Sequence, residues 1–173
     1  MKYIKNPHRL PIYFCEIVLA LTILAAGGCS EFSQHYEEAI KNSNLNPADP
    51  IVGAWDGQWV SDAGHSGGLK CVLEKIQPPT TQTIHPTLTL TYRARFHARF
   101  MGILSMDYDV VLTGDKAGDT THLQGSQTIS GFGGGLYHYD AKVTPTTFDA
   151  TYKSQSDNGI FRMKRESESL AKH

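Results

Sequence analysis

The sequence lacks an excess of basic residues, a long hydrophobic run and an internal repeat. Sixteen Lys+Arg stand against 17 Asp+Glu, a net charge of −1. Nucleic-acid binding would want a basic excess, so no such partner is expected. The one apolar run near the start, Ile17 to Ala26, has ten residues. As a helix it would rise about 15 Å, half a bilayer core, which argues against a permanent span. No repeat of about 20–50 residues is present, which sets solenoids and propellers aside. What remains is ordinary for a globular chain: 173 residues, 40% hydrophobic and 19% charged, with 16 Gly and 8 Tyr that lean towards strands and turns. That length suits one domain with a core of its own.

The first residues carry Lys2, Lys5 and Arg9 before any acid, and the ten-residue run follows Glu16. This is the layout of a secretory signal, positive and then apolar, ending in small residues. Leu24-Ala25-Ala26-Gly27-Gly28-Cys29 resembles the lipobox of bacterial lipoproteins, although that family prefers Leu where Ala26 stands. The resemblance implies removal of residues 1–28 and acylation (palmitate and related chains) of Cys29, anchoring the chain to a membrane. With Ser30 next, it further implies an outer-membrane protein facing the periplasm. The other reading is an ordinary cleavable signal in which Cys29 is incidental. Cleavage would remove three bases and one acid, taking the net charge from −1 to −3. Cys15 would leave with the signal and Cys29 would carry lipid, so Cys71 would have no partner for a disulfide.

Residues 29–50 read as a lipidated tether, in which Phe32, Tyr36 and Ile40 recur at the spacing of a short amphipathic helix before Asn42-Ser43-Asn44 and Asn46-Pro47 break it. From residue 51 the period becomes two. Eight runs fit strands, over 51–61, 68–76, 88–100, 104–113, 121–129, 136–143, 147–154 and 159–165, with Gly, Pro, Asn or Asp between most of them. The domain therefore covers 51–166, and 167–173 is a tail. A turn centred on Gly102 pairs Phe96 with Tyr108 and Ala98 with Met106 on one face, and Arg95 with Asp109 and His97 with Asp107 on the other. A turn at Pro145 likewise pairs Tyr139 with Tyr152, Ala141 with Ala150 and Lys142 with Asp149. Apolar and polar faces match under one register in both hairpins, which predicts an antiparallel meander.

The fold class expected is all-β, an antiparallel eight-stranded up-and-down barrel that leaves no exposed edge. Alternation alone also suits an outer-membrane barrel with its apolar face outward, but Arg93, Arg95, His97 and Arg99 would then crowd a narrow lumen. Gly53-Ala54-Trp55 on the first strand resembles the Gly-x-Trp that opens lipocalins and related calycins. The resemblance implies a small barrel that binds hydrophobic molecules, with an Arg from the last strand, Arg162 or Arg165, packed over the Trp.

The inner face collects Trp55, Trp59, Tyr92, Tyr108, Tyr137, Tyr139 and Tyr152, which are the candidate ligand-binding residues. Five tyrosines need partners for their hydroxyls, since a buried one left unpaired costs about 1–3 kcal/mol. They can reach the rim, satisfy one another or line a wet cavity. Gly64-His65-Ser66-Gly67-Gly68 matches a nucleophile elbow in letters only, because it joins two antiparallel strands. The histidines lack metal-ligand spacing, and Gly131-Phe132-Gly133-Gly134-Gly135 lacks the Lys-Ser/Thr of a P-loop. No metal, cofactor or catalytic residue is assigned. The expected function is non-catalytic binding of a small hydrophobic or aromatic ligand by a lipid-anchored barrel. The alternative is a structural or envelope-assembly protein with a filled barrel and an envelope protein as partner.

Overall fold

Alternation at period two becomes eight strands because each apolar set has a common interior to enter. The structure, a computed structural model, describes residues 31–42, 49–76, 90–130 and 134–167. The signal, Cys29, Pro78-Pro79, His85, Gly131 to Gly133 and residues 168–173 lie outside the described residues. The chain divides into Met1–Glu31 and Phe32–His173, and the whole sheet belongs to the second unit.

Helix α1 (Glu31–Asn42) precedes β1 (Gly53–Ser61), β2 (Ser66–Lys75), β3 (Leu90–Phe100), β4 (Leu104–Ala117), β5 (Thr120–Ile129), β6 (Gly135–Val143), β7 (Thr147–Lys153) and β8 (Asn158–Arg165). Each strand pairs antiparallel with the next, and β1 pairs with β8, closing an up-and-down barrel. The expected registers hold: Phe96 faces Tyr108 and His97 faces Asp107 across β3–β4, and Tyr139 faces Tyr152 across β6–β7. Strand β4 runs four residues beyond the expected end, through Gly114 to Ala117. The four residues continue the pairing into the β4–β5 hairpin, where Gly118 turns the chain at φ 63°.

The inward positions of every strand are mainly apolar, and charged side chains, Lys70, Arg93, Asp109, Lys142 and Arg162 among them, lie on the outer face. This is the reverse of a lipid-facing barrel, whose outer band must be apolar. The small inner residues lie where backbones come close. A Cβ at Gly57 would fall 2.0 Å from the Arg162 carbonyl oxygen, so β1 and β8 close against each other only with glycine there.

Helix α1 forms as its spacing predicts and does more than span a gap. Phe32 and Tyr36 are buried against Ala54 and Val72 on the outside of β1 and β2. The Tyr36 hydroxyl donates to the Trp55 carbonyl at 3.3 Å, and the Phe32 ring stacks on His97 at 5.2 Å.

Candidate functional site

The two ends of the barrel are built differently. At the end where the chain enters β1, Trp55 is fully buried and its indole N–H donates to the Ile51 carbonyl at 3.2 Å. The Arg165 guanidinium lies 5.7 Å from the Trp55 ring and donates to the carbonyls of Pro50 and Val52. One planar cation thus ties the last strand to the loop that plugs this end. Burial lowers the Arg165 pKa and Asp49 opposes that shift, as a desolvated cation near a carboxylate requires. Of the two arginines that the calycin resemblance offered, Arg165 takes the place over Trp55, while Arg162 faces solvent opposite Asp149.

The middle is filled by rings. Phe96 stands at its centre, with ring centroids at 5.2 Å to Tyr108, 5.6 Å to Phe161 and 6.4 Å to both Tyr139 and Phe148. Tyr152 and Phe161 sit 5.1 Å apart, and Tyr137 packs on both Tyr139 and Tyr152. These are the separations at which aromatic pairs gain beyond simple burial.

Two of the inner hydroxyls reach carboxylates at the rims. Tyr92 donates to Asp49 at 2.9 Å at the plugged end, where Asp49 also pairs with Lys75 at 3.1 Å. Tyr152 donates to Asp157 at 3.0 Å at the opposite end, and Asp157 accepts the Ser61 hydroxyl at 2.5 Å. Between these ends the Tyr108 and Tyr139 rings both stack on Phe96. Among the described residues, every buried side-chain nitrogen and oxygen has a partner. Burial pushes the pKa values of Tyr92, Tyr108, Tyr139 and Tyr152 above the usual tyrosine value, and the Cys71 thiol likewise. At neutral pH the interior therefore presents uncharged rings, hydroxyls and one protonated thiol, whose chemistry is packing and hydrogen bonding.

The structure brings six of the seven candidate residues into the buried core and leaves Tyr108 half-buried. The two tryptophans, four residues apart on β1, are separated by function of place. Trp55 lies in the plugged end, and Trp59 lies at the opposite end, donating to the Arg99 carbonyl at 2.9 Å beside Phe100.

That opposite end carries side chains that inward alternation did not pick out. Met101 and Ile103 are each 85% exposed in the β3–β4 turn, with Leu104 at 59% and Leu136 at 50%. The Ile103 N–H donates to the Phe100 carbonyl at 3.2 Å, and Met101 and Gly102 both have positive φ, 52° and 74°. Two left-handed residues in succession favour Asn or Gly, and a methionine there is strained by about 1–2 kcal/mol. The available signal in sequence was the uncharged stretch from Phe100 to Met106 running straight through a turn, where polar residues ordinarily sit.

Beside this rim the sheet is incompletely zipped. Strand β4 pairs with β3 from Leu104 to Gly114, but with β5 only from Leu112 to Ala117. Met106 and Tyr108, on the stretch of β4 that does not pair with β5, are half-buried. On the outer face of β5 and β6, Ser126 and His138 hydrogen-bond at 2.8 Å and Gln124 donates to Asp140 at 2.7 Å, an exposed cross-strand ladder. Ser66, of the glycine-flanked motif, opens β2 at the exposed end of a hairpin whose turn holds Gly64 at φ 87°.

Comparisons with protein families, curated proteins and solved structures return no match for this chain.

Proposed function

We propose that this chain is a lipid-anchored envelope protein whose barrel is a filled, non-catalytic scaffold. In this reading Cys29 carries the lipid, residues 1–28 are removed, and the mature protein faces the periplasm from the outer membrane. The observation that supports a filled barrel is the accounting of inner-face hydroxyls. Tyr92 and Tyr152 end on rim carboxylates and, among the described residues, no buried side-chain nitrogen or oxygen lacks a partner, so the polar groups that would otherwise favour a wet cavity are already used. An interior satisfied in this way holds its rings in place and leaves recognition to the surface, where the apolar residues of the β3–β4 turn are exposed.

A second reading, binding of a small hydrophobic or aromatic ligand, is favoured by the seam between β4 and β5. There Met106 and Tyr108 on β4, and Gly125 and Gln127 on β5, remain half-buried. A ligand at that place would be held by Tyr108, Tyr137 and Tyr139, not by Trp55 or Tyr92, which lie at the plugged end.

The anchor is tested by the mass of the amino-terminal peptide of protein taken from membranes. Acylated Cys29 is the expected result, together with release into the soluble periplasm on Cys29→Ala. An unmodified cysteine, or a peptide that begins at another residue, would overturn the anchor.

A further inference from the structure

We infer that the outer face of β5, β6 and β7 carries a binding site for a small acidic sugar, one that bears a single phosphate or carboxylate group. The site is a surface hollow of about 520 Å³, within the range of about 300–1,000 Å³ usual for small-ligand sites. It goes beyond the scaffold reading, since it needs neither a lipid on Cys29 nor room inside the barrel.

The first support is the register, which gathers polar side chains from three strands. The hollow is lined by Gln124 and Ser126 on β5, His138 and Asp140 on β6, and Thr151 and Lys153 on β7. They form two rows. Ser126 faces His138, which faces Lys153, and Gln124 faces Asp140, which faces Thr151. Facing side chains start about 5 Å apart, and the rows lie about 7 Å apart along the strands. All of them are therefore within reach of one small molecule. On the flank of β5, pairing with β4 ends at Gly125, so Ser126 is the first residue there without a neighbouring β4 partner.

The second support is that the two rows differ in chemistry. In the first, the Ser126 hydroxyl and His138 Nδ1 hydrogen-bond at 2.8 Å, which leaves Nε2 on the far side of the ring, towards β7 and Lys153. Lys70, Lys75, Arg93 and Arg95 on β2 and β3 each pair with a carboxylate, whereas Lys153 forms no ion pair among the described residues. An unpaired ammonium beside an imidazole N–H and a hydroxyl is a donor set for one anionic group. In the second row Gln124 donates to Asp140 Oδ2 at 2.7 Å. The second carboxylate oxygen, the Gln124 carbonyl and the Thr151 hydroxyl are left to exchange hydrogen bonds with ligand hydroxyls, each of which both donates and accepts. Asp140 repels further negative charge, so one anionic group joined to several hydroxyls fits where a bare anion does not. None of these side chains is apolar, which gives a hydrophobic ligand no footing here.

The test is calorimetric titration of the mature protein, as purified from cells, with glucuronate, galacturonate and the 6-phosphates of glucose, mannose and N-acetylglucosamine. Glucose and inorganic phosphate, each holding half of the recognised chemistry, serve as comparison ligands. At least one acidic sugar is expected to bind about tenfold or more tightly than either of them. Lys153→Met and Asp140→Ala should each weaken that sugar about tenfold, a loss on the scale of one charge-assisted hydrogen bond. Both residues are exposed, so thermal unfolding of the variants should match the parent. Lys164→Met, an equal change of charge on the outer face of β8 and outside the hollow, should leave the affinity unchanged. Absence of binding by every acidic sugar overturns the inference. Inorganic phosphate that binds as tightly as the sugar phosphates overturns the sugar class. Equal weakening by Lys153→Met and Lys164→Met shows attraction to the whole basic face and overturns the site.

Discussion

At the scale of single residues, Arg165 ties the last strand to the loop that enters the barrel. Its guanidinium lies over Trp55 and donates to two carbonyls of the entering loop, at Pro50 and Val52. Lysine has one point charge where this geometry needs a fork. Arg165→Met strands both carbonyls and is expected to lower unfolding free energy by about 2–4 kcal/mol, with Arg165→Lys recovering less than half. Denaturant unfolding followed by tryptophan fluorescence measures both variants. A loss within about 0.5 kcal/mol for the methionine variant, the range of an ordinary surface change, would contradict the assigned role.

At the scale of elements, closure of the barrel depends on glycines that admit a neighbouring backbone. Gly57 faces Met163 across β1–β8, and an added Cβ would meet the Arg162 carbonyl oxygen at 2.0 Å. Gly68 on β2 is different: its nearest neighbours would be the Arg99 side chain at 3.9 Å and 4.0 Å. Gly57→Ala should therefore cost about 3 kcal/mol or more by forcing two strands apart. Gly68→Ala should be neutral or stabilise by about 0.5 kcal/mol, since alanine loses less entropy in a strand. Thermal unfolding of the pair separates these outcomes, and equal losses would contradict the closure read here.

Much of the element scale was legible in the sequence because period-two alternation and turn chemistry are local. The pairings of Phe96 with Tyr108 and of Tyr139 with Tyr152 followed from matching two faces at once, since a slip of one residue would expose every apolar side chain. Less legible was anything set by distant contact. The docking of Phe32 on His97 joins residues 65 apart, the incomplete zipping of β4 on β5 depends on barrel curvature, and neither leaves a local pattern. Among site residues, alternation placed all seven aromatics on the inner face. It did not distinguish Tyr92, spent on Asp49, from Tyr108 beside the seam, because hydroxyl partners are decided by which loops cover each end.

At the scale of the whole molecule, the buried hydroxyls make stability depend on alkaline pH. Tyr36, Tyr92, Tyr108, Tyr139 and Tyr152 all have pKa values raised above the ordinary 10.0, burial being the largest cause in each. The folded protein keeps protons that the unfolded chain releases, so this stability is complete below about pH 10 and is lost as pH rises past it. The denaturant midpoint should be flat through neutral pH and fall steeply above about pH 10, with tyrosinate absorbance rising in step with unfolding. Free titration of these five near the ordinary value, with the fold intact, would show an interior open to water.

The same interior decides the central claim, that the barrel is filled and works through its surface. Native mass spectrometry of protein released gently from membranes, with tandem dissociation to identify anything carried, tests it most directly. The account predicts a mass equal to the acylated polypeptide, with no stoichiometric companion. A small molecule that travels with the protein and is lost on Tyr139→Ala, while the fold survives, would contradict a filled barrel and make the seam beside Tyr108 a ligand's way in.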